Sequence, residues 1–251
     1  MNEQQYLNYI SHRFRRTFHE SFTPQWHCPS CENGMLKLKQ DSLDYYETEE
    51  SISRRSGPDW EPDSIEYRFS ARFECNACLE VTNCIGKGWE AVYHDSSTEV
   101  GETIYVDEFM PLFFSPPVPL FQIPKKCPDS VRRAIISAFQ IAWADYPAAA
   151  NRLRVAIEKL VDEVAPHNRK LANLHAKIEA LKEMHSEQYD LLMATKWLGN
   201  NASHDDNLRE YDLAYGFKIL DIVLKELYLY DKEGLMQVAK EVIKNKGPIH
   251  F

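Results

Sequence analysis

Two pairs of cysteines have the spacing of metal-binding turns. Cys28 and Cys31 enclose Pro-Ser, and Cys75 and Cys78 enclose Asn-Ala. Four thiolates from two such turns can form a closed tetrahedral shell around one Zn²⁺. The sequence therefore predicts a single structural zinc site, because a four-sulfur shell leaves no open position for catalysis. The alternative is a set of unrelated buried or redox-active thiols.

Sequence typical of β-strands flanks both cysteine pairs and must hold them together. Residues 35–39 follow the first pair, and residues 65–73 and 81–93 bracket the second with alternating, aromatic-rich sequence. This pattern predicts an antiparallel ribbon, whereas the acidic segment 41–66 predicts an exposed loop or hairpin. Ahead of the ribbon, apolar residues recur at every fourth position and predict an N-terminal helix. These residues are Tyr6, Ile10, Phe14, Phe18 and Phe22.

Prolines are concentrated between residues 109 and 128. They are Pro111, Pro116, Pro117, Pro119, Pro124 and Pro128. Proline fixes φ and lacks an N–H, so neither a helix nor a central strand is expected to run through this segment. We therefore divide the chain into three parts. Residues 1–108 form the N-terminal helix and zinc ribbon, residues 109–128 form an ordered strap, and residues 129–251 form a helical bundle.

Helical periodicity extends through the part that follows the strap. The predicted helices span residues 129–146, 147–165, 171–181, 186–198, 208–230 and 234–244. Asp129 or Ser130 is expected to cap the first of these helices. Short connections between helices with apolar stripes predict an antiparallel bundle, and the whole chain is therefore assigned to the α+β class.

Composition limits the classes of function. The 251 residues include 44% hydrophobic and 27% charged residues, with a net charge of −9. This charge argues against broad nucleic-acid binding, although basic residues cluster near residues 12–16 and 125–133. Six cysteines do not suggest a disulfide scaffold. The apolar runs are too short to span a membrane and no signal peptide is recognisable, so a cytoplasmic protein is expected.

Three pieces of the helical part form a combined pattern. They are an Ala-rich helix at residues 148–160, a short helix at residues 174–181, and the segment 197–204 with Gly-Asn-Asn and a nearby histidine. Their order and spacing resemble the bacterial domain-of-unknown-function family 4145, over residues 110–230. That family is similar to the HEPN helical bundles, many of which are metal-independent ribonucleases that act as dimers. The resemblance also implies an association with restriction and phage-defence systems.

Individual residues of this pattern have local roles that the sequence predicts. Arg154 and Glu158 are four residues apart on one helix and can form an ion pair, either at the surface or toward the His204 loop. Gly199 suits the left-handed position that ends a helix, and Asn200 tolerates a strained turn. His204 is expected either to cap the last helix and stabilise its loop or to take part in chemistry.

Two functions are consistent with these residues. The first is a non-catalytic zinc-ribbon and HEPN-like adaptor or regulator, bound to a protein partner or to a second copy of itself. The alternative is a metal-independent ribonuclease that uses His204, Asn200 and Lys196. The resemblance implies an Arg four to six residues before the His, but no Arg lies there and Lys196 is eight residues upstream. Nucleic-acid binding by the ribbon and the basic residues Arg13, Arg15 and Arg16 is a weaker third possibility.

Overall fold

The computed structural model describes residues 17–31, 33–58, 60–95, 102–182, 186–201, 208–229 and 232–245. An antiparallel β region is followed by a helical region, which confirms the α+β class. The strands are β1 (Leu36–Leu38), β2 (Asp44–Glu47), β3 (Glu66–Cys75), β4 (Val81–Asp95) and β5 (Glu102–Ser115). The helices are α1 (Glu49–Arg54), α2 (Asp129–Ile141), α3 (Tyr146–Val164), α4 (Leu174–Glu179), α5 (Ser186–Asn201), α6 (Glu210–Tyr228) and α7 (Lys232–Asn245).

The five strands form one antiparallel sheet. Its order is β1-β3-β4-β5, and β2 pairs with the first half of β3. Alternate residues of β3 face the core, because successive side chains of a strand point to opposite faces. The buried residues are Phe69, Ala71, Phe73 and Cys75. The last of them, Cys75, is a predicted metal ligand, so the strand that builds the core also positions the second cysteine pair.

The first part of the proline-rich segment lies in an edge strand of the sheet. Strand β5 continues through Pro111 to Ser115. Pro111 pairs with Gly86, next to a register shift between Ile85 and Gly86, on a strand at the edge of the sheet. An edge and a bulge are the two places where a sheet tolerates proline, because no ladder hydrogen bond is lost there.

The predicted N-terminal helix lies mostly outside the described residues, and its predicted end is wrong. Phe18 does not continue a helix but exchanges backbone hydrogen bonds with Phe109, with N···O distances of 3.0 and 2.8 Å. His19 and Phe22 form a second such pair. The side chain of Phe18 is buried beside Phe69, Phe73 and Trp26, so its apolar character reflects the core of the β region.

The first bundle helix lacks its predicted side-chain cap, whereas the second has a cap that was not predicted. Helix α2 begins after Pro128, whose carbonyl accepts the amides of Val131 and Arg132, and no side chain caps it. Asp129 and Ser130 are therefore not its caps. Helix α3 is capped by Asp145, whose carboxylate accepts the Ala148 amide at 2.8 Å. Proline at the second position of α3 costs no hydrogen bond, because the first amides of a helix have no partner within it.

One hydrophobic core links the sheet to the helices. Trp143, which follows α2, makes edge-to-face contacts with Trp26 and Phe114, at ring-centroid distances of 5.7 and 4.8 Å. Trp26 lies two residues before Cys28, and Phe114 lies near the end of β5. The first cysteine pair is therefore attached directly to the apolar contact between the β region and the bundle.

Candidate functional site

The first cysteine pair is held in a tight turn by its own backbone. The Cys28 amide donates to the Gly34 carbonyl at 2.9 Å. The amides of Ser30 and Gly34 then point at sulfur, at 3.4 Å from Cys28 Sγ and 3.4 Å from Cys31 Sγ respectively. Amide donors directed at both sulfurs stabilise the thiolate form, which is the form that binds a metal.

The second cysteine pair repeats this arrangement at the end of β3. The Cys75 amide donates to the Glu80 carbonyl at 3.0 Å, and the Ala77 amide lies 3.3 Å from Cys75 Sγ. The turn closes at Leu79, whose φ of 61° is the left-handed conformation that side chains other than glycine rarely adopt. Leu79 is exposed, so this position serves the shape of the turn and not the core.

The sheet brings the two turns together. Leu36, at the start of β1, pairs with Cys75 in β3. Met35 and Asn76 add two hydrogen bonds, one from the Asn76 amide to the Met35 carbonyl and one from the Met35 amide to Asn76 Oδ1. At Gly34 the approach is so close that an added Cβ would lie 2.2 Å from Cys75 Sγ. Only glycine fits between the turns.

The four predicted cysteine ligands converge in the structure. Their sulfur atoms all lie within 4.8 Å of one another, with 3.7 Å between Cys28 and Cys78 and 3.6 Å between Cys31 and Cys75. A regular tetrahedron with zinc–sulfur bonds of about 2.3 Å places its sulfurs roughly 3.8 Å apart. The geometry therefore fits a metal ion, and none of the six cysteines forms a disulfide.

The protein environment gives the four thiols different proton affinities. Amide hydrogen bonds from Gly34 and Asn33 lower the pKa of Cys31 to about 6. Burial raises the pKa of Cys28. The Glu80 amide lowers the pKa of Cys78, but burial and the neighbouring thiols outweigh it and raise that pKa to about 12. Cys31 is therefore ionised at neutral pH and can bind a cation directly, whereas Cys78 must lose its proton first.

The two remaining cysteines are ordinary core residues. Cys84 on β4 and Cys127 before α2 are both buried. Burial raises the pKa of Cys84 well above its usual value and that of Cys127 to about 11. Both therefore stay protonated at neutral pH.

A cavity of about 460 Å³ adjoins the cysteine cluster at Cys31. Lys125, Lys126, Lys225 and Tyr228 contribute to its wall. Lys125 and Lys126 are exposed, as predicted for a solvated basic cluster. Lys225 is already paired with Asp221, at 2.8 Å.

In the helical region, the predicted role of Gly199 is wrong. Helix α5 runs through Gly199 and Asn200 to Asn201 without the predicted break. Gly199 is buried against α3, where an added Cβ would lie 2.9 Å from Arg154 Cβ and 3.0 Å from the Ala150 carbonyl oxygen. The glycine is therefore needed for a close helix contact and not for a left-handed cap. His204 lies outside the described residues.

The predicted pair between Arg154 and Glu158 is replaced by other contacts. Arg154 Nε donates to Asn151 Oδ1 at 3.3 Å. Glu158 accepts from Lys177, whose ammonium also lies 2.8 Å from Asp162. The hydrogen bond to Asp162 raises the pKa of Lys177 and keeps it charged. Through these two ion pairs Lys177 links α4 to α3. The sequence did not predict a role for Lys177.

Arg154 and Lys196 instead meet in a cavity of about 350 Å³ between α3, α4 and α5. Its walls are formed by Arg154, Asn173, Leu174, His175, Lys196 and Trp197. Sequence analysis placed His175 and Trp197 in the family pattern but gave them no role. The separation of His175 and Trp197 in the sequence does not indicate a contact, because the two residues lie on different helices that meet only in the folded bundle.

Each half of the chain matches a known family model. Residues 16–114 match a domain of unknown function (DUF8608), and residues 137–246 match another domain of unknown function (DUF4145). The second match supports the family resemblance drawn from the sequence, and the first was not predicted. No curated protein and no solved structure is significantly similar to the chain. Within the described residues, every helix is too short or too polar to cross a bilayer.

Proposed function

We propose that the protein is a non-catalytic adaptor or regulator that holds one structural Zn²⁺ and acts through protein–protein contacts. The observation that carries this proposal is the convergence of four cysteine sulfurs from two turns. A four-sulfur shell has no open position for water or substrate, so the metal would stabilise structure and not activate a reactant. The reduced cysteines suit a reducing compartment, which favours the cytoplasm.

The metal would position the β region relative to the bundle. Cys28 and Cys75 are buried in the same core as Trp26, Phe114 and Trp143. A metal bond between the two turns would therefore fix the segment that carries Trp26, one of the two aromatic residues through which the β region contacts Trp143. In this proposal the ion gives a rigid orientation to surfaces that bind partners.

An exposed amphipathic helix supports the protein-contact part of the proposal. Helix α7 is exposed at every residue from 236 to 245. Its exposed apolar side chains include Met236, Val238, Val242 and Ile243. Apolar residues at this spacing form one face of a helix, and contiguous exposed apolar surface is typical of an interaction site. A second copy of the chain, as in HEPN-like dimers, is the partner that we propose first.

The experiment measures metal content and assembly in the same preparation. Purified protein is expected to contain one zinc per chain by mass spectrometry of metals, and light scattering coupled to size exclusion is expected to give a dimer. Ile243→Glu places a charge on the apolar face and should yield a monomer that keeps its zinc. Gln237→Glu adds the same charge to the polar face of α7 and should leave the dimer intact.

The proposal has two parts that can fail separately. Folded protein without zinc, or with a stoichiometry far below one, would overturn the metal centre. A wild-type monomer would overturn self-association. A bacterial role in phage defence or toxin regulation is proposed from the family resemblance, and deletion of the gene in its host should then alter phage sensitivity or toxin toxicity.

A ribonuclease is the second candidate, because Lys196 shares a cavity with Arg154 and His175. Three nitrogen-bearing side chains around one opening suit a phosphate group. The sequence-based form of this proposal needs His204 and Asn200 as well. It predicts metal-independent RNA cleavage that is lost in His204→Ala while the fold persists. Unchanged cleavage by that variant would exclude it.

A further inference from the structure

One face of the sheet points away from the helical bundle. The bundle packs on the other face, where Trp143 contacts Phe114 of β5. Successive side chains of a strand alternate between the two faces, so Phe113 points outward. Strand pairing places further exposed residues beside it, and together they define the outer face. These residues are Tyr46, Arg68, Ser70, Arg72, Asn83, Ile85, Lys87 and Phe113.

Three cations of the outer face form no ion pair with any residue that the structure describes. Arg68 and Lys87 lie directly opposite one another on β3 and β4, and Arg72 lies four residues further along β3. By contrast, the ion pairs of the surrounding region join Lys39 to Glu74, Arg54 to Glu66 and Arg55 to Glu47. Asp44 at the rim of the face sets one negative charge against three positive charges. Like charges opposite one another destabilise a sheet, and a bound anion would relieve this repulsion.

Exposed aromatic rings lie on both sides of the cations. Tyr46 on β2 is 66% exposed and pairs with Arg68, whereas Phe113 on β5 is 46% exposed and pairs with Ile85. Three strand spacings separate β2 from β5, which amounts to about 14 Å. Aromatic rings on an open antiparallel sheet, with cations between them, offer stacking surfaces for bases and charges for the phosphates that join them.

We propose that the outer face of the sheet binds single-stranded RNA. Tyr46 and Phe113 stack on unpaired bases, and Arg68, Arg72 and Lys87 contact the phosphates, since guanidinium and ammonium groups form charge-assisted hydrogen bonds with phosphate. The surface is separate from the four cysteines, from α7 and from the bundle, so the proposal goes beyond the adaptor function. The net charge of −9 restricts binding to a short segment at this local basic surface.

Polar side chains between the cations favour RNA over DNA as the ligand. Ser70 lies between Arg68 and Arg72 on β3, and Asn83 lies opposite Arg72 on β4. The serine hydroxyl and the asparagine amide can each donate and accept hydrogen bonds. The 2′-hydroxyl of RNA does the same and is the group by which a protein distinguishes RNA from DNA.

Fluorescence anisotropy of the zinc-loaded full chain tests the proposal. The probes are a labelled ten-nucleotide oligouridylate, the oligodeoxyuridylate of the same length and a duplex RNA. The single-stranded RNA is expected to bind at least threefold more tightly than either of the other two. With about three phosphate contacts, the logarithm of the association constant should fall with the logarithm of salt concentration with a slope of about −2.

Two variants separate charge from stacking. Arg68→Gln should weaken RNA binding about tenfold and reduce the salt slope by about 0.7, because one phosphate contact is lost. Tyr46→Ser should also weaken binding about tenfold but leave the salt slope unchanged, because a stacking contact carries no charge. Both side chains are exposed, so the variants are expected to fold.

Each variant has a matched control. Arg152→Gln removes an exposed arginine of helix α3, and Tyr105→Ser removes an exposed tyrosine of β5 that lies on the same side of the strand as the buried Phe109. Both controls should bind RNA as the wild type does. Equal losses in a variant and its control would overturn the proposal.

The choice of RNA as the ligand can also fail. Absence of RNA binding, or equal binding of the deoxy oligonucleotide or the duplex, would overturn the proposal. Competition by a decaglutamate peptide at the same concentration as unlabelled RNA would instead identify an acidic protein as the partner and exclude RNA. Zinc content and dimer formation are measured separately, so none of these failures affects the adaptor proposal.

Discussion

At the scale of single residues, the proposed metal centre depends on a position that is not a candidate ligand. Gly34 lies where the two cysteine turns meet, and a methyl group there would overlap Cys75 Sγ and approach Ala77 Cβ at 2.8 Å. Neither contact can be relieved by a flexible side chain, because a metal ligand and a short side chain are fixed in place. The glycine therefore sets the distance between the sulfur pairs.

We expect Gly34→Ala to lower zinc affinity by about 10- to 100-fold, the range found when residues behind metal ligands are changed. The added methyl group would push Cys75 away from Cys31 and open the tetrahedron. Competition with a chromophoric chelator measures the change. Gly57→Ala, in an exposed turn, is the control and should bind zinc as the wild type does. Equal affinities for the two variants would contradict this account.

The proton affinities of the ligands predict how zinc binding depends on pH. With a pKa of about 12, Cys78 is protonated at neutral pH in the metal-free protein, whereas Cys31, at about 6, is ionised. Zinc binding therefore releases protons, and its affinity falls as pH falls. Below about pH 6 Cys31 also gains a proton, so the decline becomes steeper there.

Zinc release measured with a chromophoric chelator in buffers from about pH 5 to about pH 8 checks this dependence. The Arg54–Glu66 pair, an exposed contact remote in sequence from the cysteines, serves as an internal reference. Arg54→Gln should leave the profile unchanged. A flat profile for the wild-type protein would show that the thiols are not the groups that titrate.

At the scale of elements, the contact between α3 and α5 depends on Gly199. An added Cβ would meet the Arg154 Cβ and the Ala150 carbonyl of α3 at about 3 Å, and neither atom can rotate away. The two helices would have to separate. Since Arg154 and Trp197 flank this contact, their spacing across the cavity also depends on it.

Gly199→Ala should lower the free energy of unfolding by about 1–2 kcal/mol. Overpacking costs about 1–3 kcal/mol, and the better helix propensity of alanine recovers part of it. Urea denaturation followed by circular dichroism gives the value. An increase in stability would contradict the close contact, because alanine would then gain helix propensity without overpacking.

The comparison of sequence and structure shows which elements local rules could predict. Helices α2 to α7 were predicted because each carries an apolar stripe and most are bounded by proline or polar residues. Several of their observed ends differ from the predicted ends by a few residues. The interpretation of Gly199 as a helix end used intrinsic preference, whereas the structure uses a close helix contact. The prolines of residues 109–128 excluded a central strand but not an edge strand, and Pro111 lies in the edge strand β5.

The candidate sites were predicted to different degrees for a similar reason. The metal ligands are paired within short turns, so two local motifs sufficed to identify all four cysteines. The cavity combines Arg154, His175 and Trp197 from three helices, and no local spacing records that they meet. The sequence did not reveal the role of Gly34, because this role depends on its contact with Cys75 across the sheet.

At the scale of the whole molecule, the β region and the bundle share one core. Trp26 packs on Phe114 and Trp143, and it lies two residues from a metal ligand. Helix α2, which precedes Trp143, also packs against strand β5. Residues 16–114 and 137–246 match two different family models of unknown function, and the contact between these parts belongs to one hydrophobic core.

Removal of the metal is therefore expected to destabilise both halves together. Release of the ion frees the Cys28 turn, which loosens Trp26 and with it the contact to Trp143. A ligand present far above its Kd stabilises the folded state by about 4 kcal/mol, and loss of this stabilisation would lower Tm by roughly 8–16 °C.

Differential scanning calorimetry should show one unfolding transition that shifts as a whole when a chelator is added. Cys78→Ser, in an exposed ligand, should reproduce the shift without chelator, whereas Cys127→Ala should still respond to it. Two transitions, of which only one responds, would show that the halves fold independently and that the metal does not orient them.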